Sequence, residues 1–147
     1  MNQLFEVKVS YERQADELGM RKVSEVYLIN ALSFTEAEAR ATKEIQPYAF
    51  GGELTIDSCR KRRIAEIIES ADTQDDRWFE ARVSFITLDE KNGTERKIPV
   101  AMLIQSDTLP NALKRLQEEL SKQLGSYEIS ALKETPILEC YKYEALA

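Results

Sequence analysis

The chain has 147 residues, 43% of them apolar and 31% charged, with five glycines and four prolines, which is the composition of a folded globular protein and excludes disordered or collagen-like chains. The formal charge is −6, and each half, 1–74 and 75–147, carries 10 basic and 13 acidic residues. This even acidity excludes wholesale phosphate binding, although a local basic patch can still serve. Histidine is absent, which removes Ser-His and Cys-His nucleophile arrangements and the commonest general base and metal ligand.

The opening residues Phe5, Val7, Val9 and Tyr11 alternate with Glu6, Lys8 and Ser10, the period-two pattern of a strand with one buried and one wet face. Val23 to Ala31 reads as its antiparallel partner, with the polar stretch Glu12 to Arg21 as a long loop. A helix follows: Ser33-Phe-Thr-Glu36 has capping-box spacing, and Phe34, Ala37, Ala41, Ile45 and Tyr48 recur at three- and four-residue steps. Pro47 and Gly51-Gly52 end it. Glu53 to Ser58 and Arg63 to Glu69 read as short extended pieces. Ser70 to Asp76 holds no apolar residue larger than Ala and three acids, and reads as an exposed link.

The second half runs the same course. Phe79, Ala81, Val83 and Phe85 form a buried strand face, Asn92-Gly93 supplies a left-handed turn signal, and Lys97 to Gln105 returns. Asp107 or Thr108 caps a second helix with Pro110 in its first turn, a stripe of Leu109, Ala112, Leu113, Leu116, Leu120 and Leu124, and Gly125 as its stop. Tyr127 to Leu132 and Ile137 to Tyr143 close the chain as extended pieces.

The likeness between halves is literal. Leu4-Phe-Glu-Val-Lys-Val-Ser-Tyr11 returns 74 positions later as Trp78-Phe-Glu-Ala-Arg-Val-Ser-Phe85, with four identities in eight, and Lys22-Val23 answers Lys97-Ile98 at a spacing of 75. The expected fold is α+β: a ββαββ unit duplicated internally, with antiparallel sheets, one helix per repeat, and the repeats packed about a pseudo-twofold axis into one core. The expected organisation is a single domain over 1–147, made of repeat one (1–70), a linker (71–76) and repeat two (77–147). The first residues are strand-like and no apolar run approaches the ~20 residues of a membrane helix, so a cytoplasmic protein is expected.

Chemistry-bearing patterns are few. The carboxylates Asp72, Asp75 and Asp76, or Asp89 and Glu90, are close enough in sequence to hold a hard cation, but they fall in expected loops and read first as solvated turn charges. No catalytic residue, metal site or cofactor is predicted. Cys59 and Cys140 fall at non-equivalent places, each without a nearby Cys or His, so neither disulfide nor metal binding is expected. The sharpest feature is Arg60-Lys-Arg-Arg63, four consecutive cations between two short strands. It reads either as a solvated turn balanced by Glu66, Glu69 and the linker, or as a grip on phosphates. Lys8 and Arg82, with Glu6, Ser10, Glu80 and Ser84, are the repeated polar positions. They read as cross-strand ion pairing on a wet face or as a shared binding surface. Trp78 reads as a core or edge-covering residue, with base stacking as the alternative. Tyr141 and Tyr143 read as packing residues of a final edge strand.

The segments Phe5-Glu6-x-Lys8-Val9-x-Tyr11, Leu32-Ser-Phe-Thr-Glu-Ala-Glu-Ala39, Trp78-Phe79, Phe85-Ile-Thr-Leu-Asp-Glu90 and Tyr127-Glu-Ile129 resemble a domain-of-unknown-function family of short proteins from Bacteroides-type bacteria and their phages. The resemblance covers nearly the whole chain. It implies a small cytoplasmic protein of a bacterium or its mobile elements, and carries over no activity, cofactor or catalytic residue. The leading expectation is a non-enzymatic protein that works through protein–protein contacts, as a phage or mobile-element accessory factor, with its acidic surface and exposed sheet edges as the interface. The alternative is a single-strand nucleic-acid-binding protein that uses Arg60, Lys61, Arg62 and Arg63 with Lys8 and Arg82. A carboxylate-dependent metal enzyme is third. The partner is unidentified, no membrane is involved, and strand edges admit either a monomer or a homodimer.

Overall fold

Apolar residues at every second position build two long hairpins. In the computed structural model, which describes residues 3–15, 19–49 and 52–142, β1 (Gln3–Ala15) pairs antiparallel with β2 (Gly19–Ala31). The second hairpin joins β5 (Arg77–Asp89) to β6 (Thr94–Ser106). In the first hairpin the ladder continues to Ala15 opposite Gly19, so the long loop expected over 12–21 shrinks to residues 16–18, which lie outside the described residues. Polarity does not end a ladder: Glu12 stands opposite Lys22, a favourable cross-strand pairing. The second hairpin turns as its sequence predicts, with Gly93 at φ 64° and its N–H donating to the Asp89 carbonyl at 2.8 Å.

Each hairpin leads into a twelve-residue helix, α1 (Phe34–Ile45) and α2 (Leu109–Leu120). Ser33 caps the first by accepting the Glu36 N–H at 3.1 Å, and Thr108 caps the second by accepting from Asn111 at 3.3 Å, which satisfies donors that a helix start otherwise leaves open. Of the expected stripes, Ala37, Ala41 and Ile45 are buried on α1 and Ala112, Leu116 and Leu120 on α2. Phe34, Tyr48, Leu109, Leu113 and Leu124 lie largely in solvent.

The remaining strands are β3 (Thr55–Arg62), β4 (Glu66–Ile68), β7 (Ser126–Glu134) and β8 (Ile137–Tyr141). The chain is α+β, with two helices and two four-stranded sheets ordered β3-β1-β2-β8 and β4-β6-β5-β7. The sheets are mixed, not antiparallel as expected, because β8 runs parallel to β2 and β4 parallel to β6. A parallel neighbour needs a long crossover. After β3 the chain stands at the edge of its sheet away from β2, so the open side of β2 is filled by a strand from the C-terminal end.

The chain accordingly divides into two compact units, one of Met1–Arg63 with Pro136–Ala147 and one of Ile64–Thr135. These are not the two sequence halves: β4 belongs to the second unit and β8 to the first. Each unit holds a cluster of buried apolar residues. The first holds Phe5, Val7, Val9, Tyr11, Tyr27, Ile29 and the α1 stripe, and the second Phe79, Ala81, Val83, Met102, Ile104 and the α2 stripe. Within each unit an arginine ties the helix to its sheet. Arg40 donates to the carbonyl of Asn30 and to that of Lys142 at 2.8 Å. Arg115 donates to the Gln105 carbonyl and to Asp75, both at 3.0 Å.

Candidate functional site

β3 forms where Thr55, Ile56 and Cys59 can pair with β1, and it carries three of the four consecutive cations inside the strand. Arg60 stands opposite Glu6, Lys61 opposite Phe5 and Arg62 opposite Leu4. The expected turn over Arg60 to Arg63 is therefore corrected: the run is strand up to Arg62. Alternation explains why four like charges are tolerated there, since Lys61 points to the helix side while Arg60 and Arg62 point to the other face. Those two flank Glu6. Arg60 reaches its Oε2 at 2.5 Å and Arg62 its Oε1 at 2.9 Å, with the Glu6 side chain only 16% exposed. Glu6, from the neighbouring strand, is thus a counter-charge to both arginines.

Lys8 lies on the same face of β1 as Glu6 and is exposed, as are Lys61 and Arg63, the latter just past the end of β3. Arg82 is also exposed but sits on β5, in the other unit. The structure therefore gathers Lys8, Arg60 and Arg62 on one face of one sheet, turns Lys61 to the opposite face, and puts Arg82 on a different sheet. The face itself is less wet than its sequence suggests. Ser10 is buried and donates to Asp57, with Ser24 at 3.0 Å, and Leu28 is fully buried.

Asp57 marks a bulge, since Lys8 pairs with Ser58 and Val9 with Ile56. β7 bulges at the matching place: Arg82 pairs with Ala131 and Val83 with Ile129, and the extra residue, Ser130, bonds the Arg82 carbonyl at 3.2 Å. Bulges twist an edge strand and interrupt its pairing. Beyond its bulge β3 presents Ser58 to Arg62, whereas β7 presents Ala131, Leu132, Lys133 and Glu134. The cationic edge belongs to the first unit alone.

A second constellation escaped the sequence reading. On the helix side of the first sheet, Glu25 stands opposite Val9 and between Val23 and Tyr27, and it accepts a hydrogen bond from the Tyr11 hydroxyl. The Tyr141 ring lies 5.8 Å from that of Tyr27. Burial, and then the Glu25 carboxylate, push the Tyr11 hydroxyl up to about 12 and raise Tyr27 as well. Burial, with Glu44 next, lifts Tyr141 to about 12. Tyr11 is held as a donor to Glu25. At the matching places the second unit has Phe85, Val100, Met102 and Ile68, so a polar cluster in one unit replaces an apolar one in the other. The signal was available: strict alternation assigns Glu25 to the buried face, and Val100 follows it by 75.

Sequence-predicted sites elsewhere resolve into local structure. Asp75, expected in an exposed link, is buried, and it accepts from Arg115 and Ser70. Asp72 accepts the Gln74 N–H at 3.0 Å, and Asp89 accepts the Lys91 N–H at 3.1 Å. Among the described residues no group of three or more acidic, cysteine or histidine side chains is placed to hold a metal ion. Trp78 is 2% exposed, which withdraws it from base stacking, and its carbonyl accepts from the Thr135 N–H at 2.8 Å. Cys59 and Cys140 form no disulfide; they stand on the two outermost strands of one sheet, three strand spacings or about 14 Å apart, beyond disulfide reach. Tyr141 packs against the first cluster, and Tyr143 lies outside the described residues.

Residues 3–143 match the family described as Domain of unknown function (DUF4494). The chain belongs to the DUF4494 family. This match spans both units, so the DUF4494 unit comprises both sheets and not a single ββαββ repeat. No curated protein and no solved structure matches the chain. Among the described residues, no helix of this DUF4494 member is long and apolar enough to cross a membrane.

Proposed function

We propose that this DUF4494 chain is a non-enzymatic binding protein of the cytoplasm that acts through protein–protein contacts. The observation that carries the reading is the open side of β3, an eight-residue edge strand whose side chains Asp57, Ser58, Arg60 and Lys61 are exposed. Edge strands present unpaired N–H and C=O groups, and a protein that leaves one long and uncovered offers a template for another chain. An internally duplicated ββαββ origin supports this. The two hairpins, helices and bulges correspond in position, while the exposed edge and the Glu25 cluster differ, which is how one copy of a repeat acquires a role that the other lacks. The resemblance to short proteins of Bacteroides-type bacteria and their phages fits an accessory factor.

A second reading, single-strand nucleic-acid binding, draws on the exposed cations Lys8, Arg60, Lys61 and Arg63. Against it stand the commitment of Arg60 and Arg62 to Glu6 and the overall charge of −6. Fluorescence anisotropy with labelled single- and double-stranded oligonucleotides at ~50 and ~200 mM salt separates the two readings, because phosphate contacts are strongly salt-dependent. The expected result is no oligonucleotide binding, together with stoichiometric recovery of a protein partner by affinity capture from host cells. Tight, salt-sensitive oligonucleotide binding overturns the protein-partner reading.

A further inference from the structure

The unpaired edge of β3 differs from other edges of the molecule in sign. We infer that its bulge-free stretch, Ser58–Arg62, receives an acidic extended segment of a partner protein as an added strand; this rests on the binding-protein reading above and names its surface and partner.

Three observations lead there. Pairing of Arg60 with Glu6, Lys61 with Phe5 and Arg62 with Leu4 holds this stretch straight and flush with β1, so its outward backbone groups form a regular row for a further strand. The bulge at Asp57 closes off the other end, and the register is thereby confined to the cationic residues. Side chains then alternate: Lys61 to one face, Arg60 to the other, with its side chain 65% exposed although paired with Glu6, and Arg63 exposed just beyond. Cross-strand neighbours of opposite charge are favourable, so the complement is a strand with acidic residues at successive positions. That the rest of the molecule is acidic makes this edge its most selective place for such a segment.

Two other occupants fit less well. A second copy of this chain adding β3 to β3 antiparallel through this stretch would set Arg60 of each copy opposite Lys61 of the other, and like charges directly opposite are destabilising. A nucleic acid would take the phosphate-binding capacity of the cations but leave the backbone row unpaired, and two of the four cations already serve Glu6. The matching edge strand, β7, supplies an internal control. Its equivalent of Lys61 is Glu134, as the pairing of both with the equivalent phenylalanines Phe5 and Phe79 shows. A glutamate is therefore accommodated at this position of the fold.

The test uses the full chain and its Lys61→Glu variant, with labelled peptides of about eight residues, the length of β3: one with Glu at successive central positions flanked by Val and Thr, one with Lys in place of Glu, and a single-stranded oligonucleotide beside them. The acidic peptide is expected to bind and to weaken with salt. It should bind the variant about tenfold less well, the scale of losing one matched charge pair at an interface, and should slow amide exchange of residues 58–62. Failure of the acidic peptide to bind, equal binding to the variant, equal binding of the lysine peptide, or tighter binding of the oligonucleotide each overturns the inference. Affinity capture separates this from the broader reading. A protein captured equally by wild type and Lys61→Glu overturns the β3 surface and leaves a binding protein, whereas capture of nothing by either overturns both.

Discussion

Replacing Glu25 with valine, the residue at the matching position of the second unit, tests whether the tyrosine cluster is a satisfied polar network. Glu25 accepts from Tyr11, which is 3% exposed. Valine removes the acceptor and leaves that hydroxyl buried. An orphaned buried donor costs about 1–3 kcal/mol. Glu25 is only half-buried, and water can reach part of the site, which puts the expected loss in the lower part of that range, about 1–2 kcal/mol. With a urea dependence of about 2 kcal/mol/M, the unfolding midpoint moves down by roughly 0.5–1 M. The triple variant Tyr11→Phe/Glu25→Val/Tyr27→Phe removes donors and acceptor together, as Phe85, Val100 and Met102 do in the other unit, and should be more stable than Glu25→Val alone. Urea titration followed by circular dichroism reads all three proteins. A single variant within about 0.5 kcal/mol of wild type, the scatter of ordinary surface changes, or a triple variant less stable than the single one, refutes the reasoning.

The same cluster sets a pH dependence. Tyr11 and Tyr141 lose their protons at about 12 when folded against an ordinary 10.0, so between those values the native state binds more protons than the unfolded one and stability falls as pH rises. Their contribution is intact below pH 10 and lost through pH 12, and urea midpoints measured across that window should decline less steeply in Tyr11→Phe. Asp75→Ala strands the Arg115 guanidinium, itself partly exposed, and should cost about 2–3 kcal/mol, below the full penalty for breaking a deeply buried pair; thermal unfolding measures it, and an unchanged midpoint contradicts the role given to Asp75. Burial raises the Cys59 thiol above its ordinary range, so alkylation of Cys59 at neutral pH, followed by mass spectrometry in a Cys140→Ser background, should run slower than that of a free cysteine and quicken on unfolding.

Local pattern was a reliable guide wherever an element makes its own case. The hairpin faces, the Ser33 and Thr108 caps, the inner positions Ala37, Ala41, Ile45, Ala112, Leu116 and Leu120 of the helix stripes and the Asn92-Gly93 turn follow from period, cap chemistry and turn chemistry within a dozen residues, while the flanking stripe residues Phe34, Tyr48, Leu109, Leu113 and Leu124 are exposed. The same reasoning put Arg60 to Arg63 in a turn because four cations look like solvent-facing loop. It could not see Glu6, 54 positions away along the chain, whose carboxylate makes strand the better state for them. Glu25 shows the converse. Its place on the buried face was legible from alternation, but its acceptability there depends on the Tyr11 hydroxyl delivered by the neighbouring strand.

Composition and periodicity thus settle the α+β class, the two hairpins and the two helices, because these rest on interactions within one stretch of chain. Pairing between distant strands obeys no such local code, since any short extended piece can fill an open edge of either direction. That Ile137–Tyr141 completes the first sheet and Glu66–Ile68 the second, that both run parallel to their neighbours, and that the basic strand Thr55–Arg62 stands at a sheet edge were decided by the folded chain, where edges, charges and buried hydroxyls must all find partners together.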